Sequence, residues 1–111
     1  MHRVTVAVGD TVYTEGELGV DAFLVLAGEL AMSRQGLDLT AEAGAVIGLS
    51  ALVNKPYGAT ARAVKQSDLL AFTRRELRGM LRSDPDRALV IIDAIIDLLG
   101  QLNTARDSSG C

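Results

Sequence analysis

At 111 residues the chain is long enough for one domain with a small core and little stability to spare. A hydrophobic content of 49% and a charged content of 23% are ordinary globular values, and no apolar run approaches the ~20 residues that span a bilayer. A formal charge of −3 argues against a nucleic-acid binder.

The first two thirds read as short strands. Val4, Val6 and Val8 alternate with Thr5 and Ala7, a period of two. Further runs follow at Thr11–Thr14, Ala22–Leu26, Glu29–Arg34, Leu37–Ala41, Thr60–Val64 and Asp68–Phe72, separated by Gly9, Gly16, Gly19, Gly28, Gly36 and Gly44. Strands of this length and spacing predict a small sandwich or barrel.

The period changes at residue 73. Thr73-Arg74-Arg75-Glu76 is a capping box, followed by Leu77, Met80 and Leu81 at helical spacing. Ser83-Asp84-Pro85 ends that helix and opens another, with Asp84 as cap and Pro85 in the first helical position. The last helix carries two apolar stripes: Leu89, Ile92, Ile96 and Leu99, and Ile91, Ile95, Leu98 and Leu102. Two stripes are too broad for a helix that only covers a small barrel, so one is expected to meet a partner. Arg74, Arg75, Arg78, Arg82 and Arg87 crowd into the same region among Glu76, Asp84 and Asp86; a solvated face is the plain reading and a surface for an acidic partner the other.

No His, Cys and carboxylate cluster has metal-ligand spacing, no nucleophile and base pair is visible, and no enzymatic activity is expected. Cys111, behind Asp107-Ser108-Ser109-Gly110, reads as a tail thiol, and a lone cysteine agrees with a reducing compartment. Met1-His2-Arg3 lacks the apolar region of a signal peptide, so the expected location is the cytoplasm.

The most informative stretch is Ile47-Gly48-Leu49-Ser50-Ala51-Leu52 followed by Pro56-Tyr57-Gly58-Ala59-Thr60-Ala61-Arg62-Ala63. It resembles the phosphate-binding cassette of the cyclic nucleotide-binding domain family, F-G-E-x-A-L and then P-R-x-A-T/S. Gly48, Ala51, Leu52, Pro56, Ala59 and Thr60 fall in place; Leu49 stands at the ribose-binding Glu and Tyr57 at the phosphate-binding Arg. Gly9-Asp10, Glu15-Gly16-Glu17, Gly19 with Asp21 and Phe23, Gly28-Glu29-Leu30 and Gly44 resemble the family's other turn motifs in order, so the likeness runs over roughly residues 6 to 102.

The resemblance implies a mainly β fold: an eight-stranded β-roll (a double-stranded β-helix, jelly-roll-like) over residues 1–72, with a short cassette helix at about 48–53. Helices would follow at 73–103 and a tail at 104–111. It also implies a cassette at Gly48, Leu49, Ser50, Ala51, Tyr57, Gly58, Ala59 and Thr60, where amides hold an anion, an Arg pairs with phosphate and a Glu accepts from ribose. Loss of both side chains at about 1.5–3 kcal/mol each weakens a typical binder by roughly 10²- to 10⁴-fold. Cyclic AMP or cyclic GMP binding is therefore expected to be weak or lost. Lys55 and Arg62 are the candidate substitute phosphate contacts; the alternatives are that Leu49 and Tyr57 fill the pocket, or that it is adapted to a different, less charged ligand. The expected role is a regulatory module without an attached output domain, homodimeric through its last helix. The alternatives are a stand-alone scaffold that binds a larger protein, or a piece of a larger regulator. Neither nucleic acid nor membrane is an expected partner.

Overall fold

Eight short strands form in the computed structural model, which describes residues 1–96; Leu98, Leu99, Leu102, the 97–103 part of the expected helix and the tail with Cys111 lie outside the described residues. The strands are β1 (His2–Val6), β2 (Thr11–Tyr13), β3 (Ala22–Ala27), β4 (Glu29–Arg34), β5 (Leu37–Glu42), β6 (Val46–Ile47), β7 (Thr60–Ala63) and β8 (Ser67–Phe72). They make two antiparallel four-stranded sheets, ordered β1-β8-β3-β6 and β2-β7-β4-β5. Val6, Phe23, Val25 and Leu69 of one sheet meet Tyr13, Leu30, Ala41 and Ala61 of the other in a single core. The mainly β roll with C-terminal helices is the fold the sequence implies.

Two turns need their residues. Gln35 and Gly36 both have positive φ, 48° and 83°, the geometry of a tight two-residue hairpin whose twist suits the flanking strands β4 and β5. Gly28, with φ of 99°, turns the chain from β3 into β4 against the start of β8, and a Cβ there would lie 2.6 Å from the Gln66 carbonyl oxygen. The Ser67 hydroxyl seals that corner, accepting from the Glu29 amide at 3.1 Å and donating to the Lys65 carbonyl at 2.8 Å.

One expectation needs correction, and one strand carries no signal in the sequence. The alternation at the chain start stops at Val6: residues 7–10 turn, closed by the Asp10 amide on the Ala7 carbonyl, and Val8 is 65% exposed. Strand β6 has only two residues, too few to show a period, and exists because Ile47 and Val46 pair with Phe23 and Leu24.

The helices follow the capping signals. Thr73 and Glu76 exchange hydrogen bonds of 3.1 and 3.0 Å at the start of α1 (Arg74–Ser83), and the free carboxylate oxygen of Glu76 pairs with the Met1 amino group. Asp84 accepts from the Arg87 amide and opens α2, residues 85–96. A second core joins both helices to the roll, made by Ala22, Leu24, Val46 and Phe72 with Met80, Ala88 and Ile91. Ile91 and Ile95 therefore face the roll, while Leu89 and Ile96 are 52% and 57% exposed and Ile92 is partly buried.

Phe72 is fully buried where β8 hands over to the helices. Phe72→Ala should lower the urea unfolding free energy by about 3–5 kcal/mol, whereas Leu37→Ala, at a residue 73% exposed, should stay within about 0.5 kcal/mol.

Candidate functional site

The cassette opens at Gly48, directly after β6, with φ of 75°. A side chain there would strain the backbone and press on the rings of Tyr57 at 3.2 Å and Tyr13 at 3.3 Å, so glycine is favoured by conformation and by space. The chain then makes one short 3-10 helix, Leu49–Val53, closed by Asn54 in the left-handed region. Ala51 is buried in the core of the roll, and Ser50 is partly buried.

The segment after the helix is laced to the loop between β2 and β3. The Tyr57 amide donates to the Glu17 carbonyl at 3.0 Å, and the Gly16 amide donates to the Tyr57 carbonyl at 2.8 Å. The Thr60 hydroxyl accepts from the Glu15 amide at 2.9 Å. Gly58 is exposed and Ala59 partly buried.

This lacing turns the Tyr57 side chain inward, where it is 5% exposed. Its ring stacks on Tyr13 with centroids 3.9 Å apart and planes 15° from parallel, and Tyr13 in turn stacks on Phe23 at 6.0 Å. Its hydroxyl donates to the Asp21 carbonyl at 2.8 Å. Gly19 provides the seat: a Cβ there would lie 2.7 Å from a Tyr57 ring carbon. Three of the chain's four aromatic side chains are thus spent on closing one end of the core.

Leu49 does not join Tyr57. It is partly buried and packs with Leu52 against the helix-side core, whereas Tyr57 lies in the core of the roll. Neither substitute cation comes to the site. Arg62 is exposed on the face of β7 opposite the buried Ala61 and Ala63, with its Nε donating to the Gly9 carbonyl at 3.0 Å. Lys55 is exposed, its amide donating to the Ser50 carbonyl.

Burial pushes the Tyr57 phenol upward, and the Asp21 and Glu17 carboxylates push it further, so negative charge is already close to the ring. Burial, reinforced by Tyr57, pushes the Tyr13 phenol well above the ordinary tyrosine range. Among the described residues, no group of three or more His, Cys, Asp or Glu side chains is placed to hold a metal. An open cleft of about 420 Å³ lies elsewhere, between the chain start and α1, lined by Met1, Glu76, Met80 and Arg87 among others.

Sequence reasoning marked Tyr57 and Gly19 but missed Tyr13 as the stacking partner. The contact depends on the pairing of β2 with β7, which sets Tyr13 opposite Ala61, and on a register shift within that pair. Strand period alone carries no signal for it.

A roll of two four-stranded sheets, a glycine-led cassette after β6 and capped helices after β8 together define a cyclic nucleotide-binding domain. The family model described as cyclic nucleotide-binding domain matches residues 3–84, and the chain belongs to that family. Among solved structures it is similar to the N-terminal domain of a transcriptional regulator from Streptomyces coelicolor, at 28% identity over 95% of this chain and 78% of that one, with a TM-score of 0.65. It is also similar to the catabolite activator protein of Thermus thermophilus, at 22% identity and a TM-score of 0.77, covering 98% of this chain and 55% of that one. A cyclic nucleotide-binding domain from Methylobacillus flagellatus is similar at 24% identity and a TM-score of 0.73, over 96% of this chain and 62% of that one. The comparison with curated proteins gave no match. No helix among the described residues is long and apolar enough to cross a membrane.

The two buried phenols set the alkaline limit. Both are raised from the ordinary value of 10.0, so below that pH both folded and unfolded states stay protonated. Above it the unfolded state ionises first and binds fewer protons, and stability falls by up to about 1.4 kcal/mol per pH unit for each tyrosine. Melting temperatures should drop as pH rises past 10, with phenolate absorbance appearing together with unfolding, and Tyr57→Phe should lessen the drop. Phenolate formation near pH 10 in a chain that stays folded would contradict this.

Proposed function

We propose that this chain is a regulatory module whose cassette no longer holds cyclic AMP or cyclic GMP at useful affinity. One observation carries the reading: Tyr57, at the position of the phosphate-pairing Arg, is packed inward between Tyr13, Gly19 and Gly48. A phosphate would have to displace a stacked ring and its hydrogen bond to the Asp21 carbonyl. It would then meet the carboxylates of Asp21 and Glu17 rather than a guanidinium. Leu49 offers the ribose no acceptor, and a hydroxyl buried against it loses its bonds to water. In this reading the chain is not an enzyme, and it works in the cytoplasm.

Signalling would then pass through association. Ile91 and Ile95 are used by the roll, so the surface proposed for a homodimer is the neighbouring stripe of Leu89, Ile92 and Ile96. A self-complementary stripe on one helix suits a two-fold interface. A second reading, as the sensory part of a larger regulator, is supported by the likeness to the N-terminal domain of the Streptomyces transcriptional regulator. The exposed stripe equally supports a scaffold role with a larger protein.

Calorimetry should give dissociation constants no tighter than about 100 µM for cyclic AMP and cyclic GMP, given the two missing contacts. Leu49→Glu with Tyr57→Arg, which removes the plug and restores both contacts, should tighten binding by at least about tenfold. A low-micromolar constant for the unmodified chain would overturn the proposal.

Sedimentation near 100 µM, a concentration well above about micromolar dimer constants, should show a dimer. Leu89→Asp with Ile96→Asp should give a folded monomer, because both side chains are outside the core, and its melting temperature should no longer depend on protein concentration. A monomeric unmodified chain would count against the interface.

A further inference from the structure

Helix α1 carries charge that the other described residues leave unanswered. Its ten residues hold four arginines and one glutamate, a net of +3 in a chain of −3, so the other residues together carry −6. Arg74, Arg75, Arg78 and Arg82 are all exposed. At 3.6 residues per turn they fall within an arc of about 100°, opposite the buried side of Met80. Among the described residues none of the four makes an ion pair. The helix's one acid, Glu76, is committed to the Thr73 cap and the Met1 amino group, and Asp84 is paired with Arg87.

This arrangement works against the helix itself. Arg74 with Arg78 and Arg78 with Arg82 are like charges four residues apart, each destabilising by a few tenths of a kcal/mol. Arg74 and Arg75 also sit in the first turn, where the helix dipole favours acids. The Thr73–Glu76 capping box, the buried Met80 side and Arg82 in the last turn support the helix, but no acid among the described residues pairs with the four arginines. An anionic partner along the stripe would remove both penalties.

We infer that the outer face of α1 docks an acidic segment of a protein partner, with carboxylates at helical spacing facing Arg74, Arg78 and Arg82. The inference does not depend on what the cassette binds. Arginine suits this role because its planar fork pairs with carboxylates two bonds at a time. Leu81 adds an apolar anchor: it is 47% exposed, three residues from Arg78 and beside Arg82. Arginine is among the residues enriched at protein interfaces, and the exposed part of Leu81 adds apolar area. A duplex or a lipid surface fits less well. The stripe from Arg74 to Arg82 is only about 12 Å long, and the helix that follows exposes Asp86 and Asp93, which repel a polyanion.

The test is fluorescence anisotropy on the full chain. The probe is a labelled helical peptide with glutamates at i, i+4 spacing around one leucine. Its glutamine counterpart, duplex DNA and phosphatidylglycerol vesicles serve as comparisons. Saturable, salt-sensitive binding of the glutamate peptide is expected, with no binding of the other three. Arg78→Gln with Arg82→Gln should weaken binding by at least about tenfold, as loss of close charge pairs does, and Leu81→Ala should weaken it severalfold. The arginine variant should melt at the same temperature or higher, because removing like charges relieves repulsion; a purely structural role would lower it. The inference fails if the peptide does not bind, if binding survives the arginine substitutions, or if DNA or vesicles bind more tightly than the peptide.

Discussion

The stacking of Tyr57 on Tyr13, with the hydroxyl anchored on the Asp21 carbonyl, organises the end of the roll where the cassette lies. The two rings contribute mainly through the apolar area they take from water. The larger effect is positional. Tyr57 links β2 through Tyr13, the loop before β3 through Asp21 and Gly19, and the cassette turn through Gly48. The backbone bonds with Gly16 and Glu17 hold the same residue from the other side. Three segments of the chain are thus joined by one side chain.

The fold was readable because its signals are local. Valine alternation, glycines at turns, the Thr73 capping box and the Asp84-Pro85 helix start each act over a few residues, and the structure uses them where they occur. The failures are non-local. Val8 continues the alternation of β1 but turns outward, because the chain must leave the sheet to reach β2. Val46 and Ile47 become a strand only through β3. At the site, the motif located Gly48, Leu49 and Tyr57, but their destinations differ. A tyrosine after Pro56 is drawn toward Tyr13, while a leucine at the head of the 3-10 helix is drawn toward the helices.

Charge is distributed as unevenly as packing. The cassette end is lined by acids, with Glu17 and Asp21 near Tyr57, while α1 concentrates the arginines. A family frame built around an anion at one place here presents its positive charge at another. Glu76 sits at the junction, satisfying the first amides of α1 and holding the chain start, so the acid nearest the arginines is withdrawn from them. The helix is stabilised by its cap and its buried side rather than by its surface charge.

The glycines at 19 and 48 make position 57 part of a mutually contingent trio. A larger residue at Gly19 is sterically incompatible with the tyrosine but not with a smaller or outward-turned side chain, so the order of substitutions determines which of them survive. Position 57 can lose bulk first and leave both glycines acceptable; Gly19 cannot gain bulk first. Sequence drift at this end of the domain is therefore directional. As long as both glycines persist, the space under the ring remains available to a future side chain or ligand.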